Sequence, residues 1–159
     1  MTTARILVMR HAEKTGDLLD PHLSQDGQAR ASKLAEFIPT EIGIPQFLIA
    51  TSISKHSMRP IVTLQPLSAK IGVPLDASYA DQDYGALAMQ LLSEPQYAVE
   101  GALILVCWHH GNIPPMMNAL GAKPGSYPDP WDAQTFNQIL VLNYSGDAEP
   151  EVAVLTEPF

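Results

Sequence analysis

An α/β fold, with a mostly parallel central sheet flanked by helices, is what the order of apolar runs predicts. Two observations carry it. Runs of strand length recur at Ile6–Met9, Phe47–Ala50 and Ala102–Cys107. Between them lie stretches of helical period, and alternation of strand with helix is how crossover-linked parallel strands are written in sequence. The 159 residues suit a single domain over 1–159, large enough to bury a substantial core.

The first strand stops at Arg10-His11, followed by Ala12-Glu13-Lys14 and a polar loop, Asp17 to His22, punctuated by Pro21. Ser24 is placed as N-cap of a helix over Gln25–Phe37. Ala29, Ala31, Leu34, Ala35 and Ile38 are its expected apolar face, and Pro39 lies just past its end. Gly43 and Pro45 turn the chain into the second strand. The segment Thr51–Arg59 enters another helix, with Ile61, Val62, Leu64, Leu67 and Ile71 expected on its buried side. Pro60 suits its first turn, while Pro66 is expected to kink it. Val73-Pro74-Leu75 reads as a short edge strand, and Asp81–Leu92 as a helix. After the third strand comes Trp108-His109-His110-Gly111, then a helix from Asn112 to Leu120 closed by Gly121. Beyond a loop at Pro124–Pro130, Ile139–Leu142 and Val152–Leu155 read as two strands joined as a hairpin through Ser145-Gly146-Asp147.

Composition narrows the function classes. A net charge of −8 disfavours nucleic acid and anionic membranes as partners, and no apolar run approaches membrane-spanning length. Met1–Arg5 run straight into the first strand, so no signal peptide is expected. Cys107 is the one cysteine and sits in an apolar run, which reads as a buried thiol in a reducing, cytoplasmic protein.

Polar groups gather where strands end. In an open α/β sheet, ligands bind outside the carboxyl ends of parallel strands. Arg10 and His11 end the first strand, Arg59 follows the second, and His109 and His110 follow the third. Two arginines and two or three histidines with no matching acid cluster make a cationic pocket. That suits a phosphoryl dianion better than a metal, which wants carboxylate, thiolate or several imidazole ligands. The remaining residues have plainer expectations. His22, His56, Asp17 and Asp20 read as surface; Glu13 as a partner of Lys14 or Arg10; Trp108, Met116 and Met117 as packing; Trp131, between prolines and aspartates, as a partly exposed residue and a minority candidate for the pocket mouth.

At Arg10-His11-Ala12-Glu13-Lys14, with Leu23-Ser24 and Gly27 following, the sequence resembles the histidine phosphatase (phosphoglycerate-mutase-like) superfamily. Arg59 with Thr63 resembles its second phosphate-binding arginine, and Leu105–Ile113 its second-histidine motif, aligned on His110 with His109 as the alternative. The resemblance spans about Ile6 to Leu120. It implies a three-layer sandwich and a phosphatase of a small phosphorylated substrate or phosphoprotein. In that chemistry His11 forms a phosphohistidine, Arg10, Arg59 and His110 hold the phosphoryl oxygens, and neither metal nor cofactor takes part. The acid that protonates the leaving group is open among Asp81, Asp83 and His109. A phosphate-binding module of the same fold without catalysis is the alternative function, and a metal hydrolase using His11, His109 and His110 a third.

Overall fold

The computed structural model describes residues 3–146 and 148–159; Met1, Thr2 and the hairpin position Asp147 lie outside them. Six strands form one sheet: β1 (Arg5–Arg10), β2 (Phe47–Thr51), β3 (Leu75–Tyr79), β4 (Leu103–Trp108), β5 (Gln138–Asn143) and β6 (Glu151–Thr156). Their spatial order is β3-β2-β4-β1-β5-β6. β1 pairs in parallel with β4, and β2 with β3 and β4. β5 runs antiparallel to both β1 and β6. The sheet is therefore mixed rather than mostly parallel. The cause is local: the chain returns from β5 to β6 without a helix between them, and strands joined that closely pair antiparallel.

Alternation within the strands builds two cores. Leu7, Met9, Leu105 and Cys107 face one way, against Leu34 and Ile38 of α1 (Gln25–Phe37, with the π-helical turn after it) and Leu64 and Leu67 of α2 (Arg59–Ile71). Ile6, Val8, Ile104, Val106 and Trp108 face the other way, against Leu87 and Leu91 of α3 (Tyr84–Ser93) and Ile113, Met116 and Met117 of α4 (Ile113–Ala119). Every position of β4 is buried, which is why that run is apolar without interruption. Three layers result.

Several elements differ from expectation in detail. Ser24 caps α1 as its type predicts, its hydroxyl accepting from Gly27 N–H at 3.1 Å. The buried face of that helix includes Gly27, whereas Ala29 is exposed. α2 runs unbroken through Pro66 and ends at Gly72, whose φ of 72° suits the left-handed stop. The edge strand begins at Leu75 rather than Val73, because Pro74 has no N–H to give a ladder. Asp81–Asp83 form a tight turn ahead of α3, and His110–Asn112 another ahead of α4. No helix of the described residues is long and apolar enough to cross a membrane.

Candidate active site

The parallel pairing of β1 with β4 sets the centre of the site. Arg10 lies opposite Trp108 in the register, so the next residues, His11 and His109, leave the sheet side by side. His11 N–H donates to Trp108 O at 3.1 Å, and the two imidazoles stand edge to face with centroids 5.2 Å apart. His110, the residue the motif aligns as second histidine, lines the same cavity but is one position farther from the strand end. His109 is the ring set directly against His11.

His11 is held in one tautomer. Its Nδ1 lies 2.7 Å from the carbonyl of Ala12, an acceptor, so Nδ1 carries the proton and Nε2 keeps a lone pair. Burial chiefly, with the charges of His109, Arg10 and Arg59, pushes the ring's pKa down to about 3 against the opposing pull of that carbonyl. Burial, then Arg59 and Arg10, lowers His109 to about 4. Both rings are neutral at pH 7. His109 Nε2 sits 3.4 Å from the Thr51 hydroxyl at the end of β2.

The loop carrying His11 is pinned from two sides. Ala12 N–H donates to the buried Thr63 hydroxyl at 2.9 Å, and that hydroxyl donates to Arg59 O at 2.8 Å. This ties the loop to the first turn of α2. On the other side, Ser24 N–H donates to Glu13 O at 2.9 Å, and Lys14 bridges Leu23. Gly27 passes so close that a Cβ there would lie 2.2 Å from Glu13 O, which accounts for the glycine. The Glu13 carboxylate pairs with neither Lys14 nor Arg10. It accepts from Arg30 Nε at 2.8 Å, and Arg30 Nη1 also donates to Glu157 at 2.9 Å and to Phe159 O at 2.6 Å.

Two guanidiniums face the cavity. Arg59 is anchored by the carbonyls of Asp20 and His22, so the Asp17–His22 loop, expected to be mere surface, has a structural part. The His22 ring itself is exposed and paired with Asp20. Arg10 Nη1 donates to Ala133 O at 2.7 Å and its guanidinium lies 3.9 Å over the Phe136 ring. Its Nε is buried with no protein acceptor. Burial, then the charge of Arg59, lowers its pKa to about 10. Residues 131–136 reach Arg10 because β5 is reversed, which brings its leading end to the same edge of the sheet. Phe136, Ala133 and Thr135 carry no chemical signature in sequence and were not anticipated. Trp131, a candidate for the pocket mouth, is instead buried in the core, its Nε1 donating to Thr135 O at 3.0 Å.

The cavity, about 660 Å³, is lined by Arg10, His11, Lys14, Arg59, His109 and His110, with His56 and the Ser52–Ser57 loop at its outer side. One carboxyl lines it, that of Asp81. Asn112 Nδ2 donates to its Oδ2 at 2.9 Å, Trp108 Nε1 fixes its carbonyl at 3.0 Å, and Oδ1 is buried without a partner. Burial raises its pKa, against the opposing effects of Asn112 and His110. Asp83 does not line the cavity. Among the described residues no three His, Cys, Asp or Glu side chains are grouped as a metal ion requires.

Comparison with known proteins bears on the fold. A protein histidine phosphatase SixA complexed with tungstate superposes with TM-score 0.67 at 17% identity, covering 96% of each chain. Phosphoglycerate mutase from Plasmodium falciparum gives 0.63 at 15% identity, over 99% of this chain and 92% of its own. Mycobacterial glucosyl-3-phosphoglycerate phosphatase with inorganic phosphate gives 0.58 at 16% identity, over 98% and 97%. No family model matches the sequence, and no curated protein matches it. The chain has the fold of the histidine phosphatases and phosphoglycerate mutases.

Proposed function

We propose that this chain is a phosphatase of the histidine phosphatase superfamily, working through a phosphohistidine on His11 without a metal. The observation that carries the reading is the pairing of a neutral, tautomer-fixed imidazole with two guanidiniums in one cavity, neither of them in an ion pair among the described residues. The charge of Arg59 lowers the pKa of Arg10, and Arg10 keeps an unpaired buried donor, so an anion entering between the two guanidiniums relieves an existing cost.

The chemistry follows from the groups. His11 Nε2 attacks phosphorus in line, the P–O bond to the leaving group breaks, and Asp81, whose raised pKa favours a held proton, supplies that proton. Arg10 and Arg59 bind the non-bridging oxygens, and His109 is the second pocket histidine, with His110 farther out toward the substrate. Water then attacks the phosphohistidine with Asp81 as base, giving inorganic phosphate and restoring neutral His11. The resemblance of the Arg10–Lys14 and Leu105–Ile113 motifs supports the same reading, as do solved structures of this fold that are phosphatases.

The test is hydrolysis of p-nitrophenyl phosphate by the wild type and His11→Ala, with and without chelator. Chelator-resistant turnover lost in the variant is expected. No turnover by the wild type, with vanadate still binding, would replace the enzyme by a phosphate-binding module; turnover lost on chelation would replace it by a metal hydrolase.

A further inference from the structure

Asn112 stands immediately before α4, where an asparagine ordinarily caps a helix by accepting from the N–H two or three residues farther on. Those residues are Pro114 and Pro115, which have no N–H to give, and the side chain makes no capping bond. The amide is turned instead to Asp81, in the tight turn ahead of α3. Its Nδ2 donates to Asp81 Oδ2 at 2.9 Å and to Asp81 O at 3.3 Å. A backbone carbonyl only accepts, so that second contact fixes which way round the amide sits. Trp108 Nε1, at the end of β4, donates to the same carbonyl at 3.0 Å. The backbone and one carboxyl oxygen of Asp81 are thus gripped together. Among the described residues this is the one hydrogen bond its carboxyl receives, and Oδ1 is buried without a partner. Asp81 lines the cavity; Asn112 does not.

We propose that Asn112 is a positioning residue for proton transfer: its amide holds the Asp81 carboxyl at the cavity wall and stabilises the carboxylate left when the proton passes to the leaving group, a proposal that rests on the phosphatase reading above. An amide donates more strongly to a carboxylate than to a neutral carboxyl. The bond therefore tightens as the P–O bond breaks and the leaving-group oxygen takes the proton of Asp81. When water attacks the phosphohistidine, the carboxylate takes a proton from it and the acid is restored. Burial favours the protonated form and Asn112 opposes it, with His110 acting in the same direction as Asn112. Burial alone would make Asp81 slow to give up its proton; the amide lets it go.

The experiment uses Asn112→Ala and Asn112→Leu, which remove the donor with less and with more bulk and sacrifice no helix cap. Turnover of glycerol 2-phosphate, an alkyl phosphate, should fall about tenfold on its low-pH plateau, and that of p-nitrophenyl phosphate by less than about threefold. The basic limb of the alkyl phosphate profile should move up by about one pH unit, because Asp81 loses the donor that favoured its ionised form. In an Asp81→Asn background the same substitutions should cost nothing further, since Asn112 acts through that carboxyl. Equal losses on the two substrates, an unmoved limb, or a loss that adds to that of Asp81→Asn overturns the proposal. Absence of p-nitrophenyl phosphate turnover by the wild type is the separate signature of a failed phosphatase reading. A carbon-13 NMR titration of the Asp81 carboxyl then decides the point without turnover: a midpoint raised in both variants upholds the hold of Asn112 on the carboxyl, and an unchanged one overturns it.

Discussion

Replacing Thr63 by valine tests the link between the nucleophile's loop and α2 with almost no change in shape. The Thr63 hydroxyl is fully buried, accepts from Ala12 N–H and donates to Arg59 O. Valine fills the same volume and strands the Ala12 N–H, which is buried as well. Arg59 O, in the first turn of a helix, keeps its helical acceptor role, so one orphaned donor is the main cost. An unpaired buried donor costs about 1–3 kcal/mol. At roughly 2–4 °C per kcal/mol for a chain of this size, a loss of about 2 kcal/mol lowers Tm by about 4–8 °C. The same bond fixes the loop that carries His11, the proposed nucleophile, and small misplacements of a reacting group cost up to about 100-fold, so kcat for p-nitrophenyl phosphate should fall at least about tenfold. Thr63→Ser keeps the hydroxyl, losing one methyl at about 1 kcal/mol, and should retain most of the activity. Thermal unfolding and steady-state kinetics on the three proteins decide it. A valine variant as active as the serine variant would refute the coupling, and one as stable as wild type would refute the hydrogen-bond argument.

Gly27→Ala should destabilise the chain by about 1–3 kcal/mol, since its Cβ meets backbone at Glu13 O and backbone yields poorly; an unchanged denaturation midpoint contradicts this. Lowered pKa values at His11 and His109 fix the sign of a pH effect: between about 6.5 and 3 the unfolded chain takes up protons that these rings refuse, so their contribution is full above 6.5 and is lost as pH falls. The difference in stability between wild type and His11→Asn/His109→Asn should therefore shrink steadily from pH 7 to pH 4, and a pH-independent difference in urea titrations would count against buried neutral rings. Asp81→Asn should slow an alkyl phosphate by about 100-fold or more while slowing p-nitrophenyl phosphate far less, because the better leaving group needs less protonation. Equal losses on both substrates would remove Asp81 from the proton donor's role.

What was legible in the sequence divides along a physical line. Strand runs such as Leu103–Trp108 and the Ser24 cap announce themselves because burial and local hydrogen bonding act over a few neighbouring residues. The convergence of Arg10, His11, Arg59 and the His109-His110 pair was legible from topology alone, since parallel strands deliver their carboxyl ends to one edge. That His109, rather than His110, is the ring set against His11 follows from the β1–β4 register, which no local pattern encodes. The supports of Arg10 at Ala133, Thr135 and Phe136 were invisible for a different reason: two act through backbone carbonyls, and all three depend on the reversal of β5. Glu13 went to Arg30 rather than to its chain neighbours, a partner 17 residues away on α1. Trp131 is buried although prolines and aspartates flank it, because its indole packs into the core and its Nε1 finds an acceptor at Thr135 O, neither of which a local pattern reveals.

The placing of β1 also has a consequence for how the molecule comes into being. β1 precedes both of its partners in the chain and lies in the interior of the sheet, with Arg5 beside Leu103 on one side and Asn143 on the other. A growing chain must therefore hold β1 unpaired until β4 is made, and the cradle of Arg10 waits for residues 133–136. Such distant pairings make folding slow relative to local structure. The completed cavity is thus among the last features acquired, and a chain cut short before β4 displays an apolar strand without its partner.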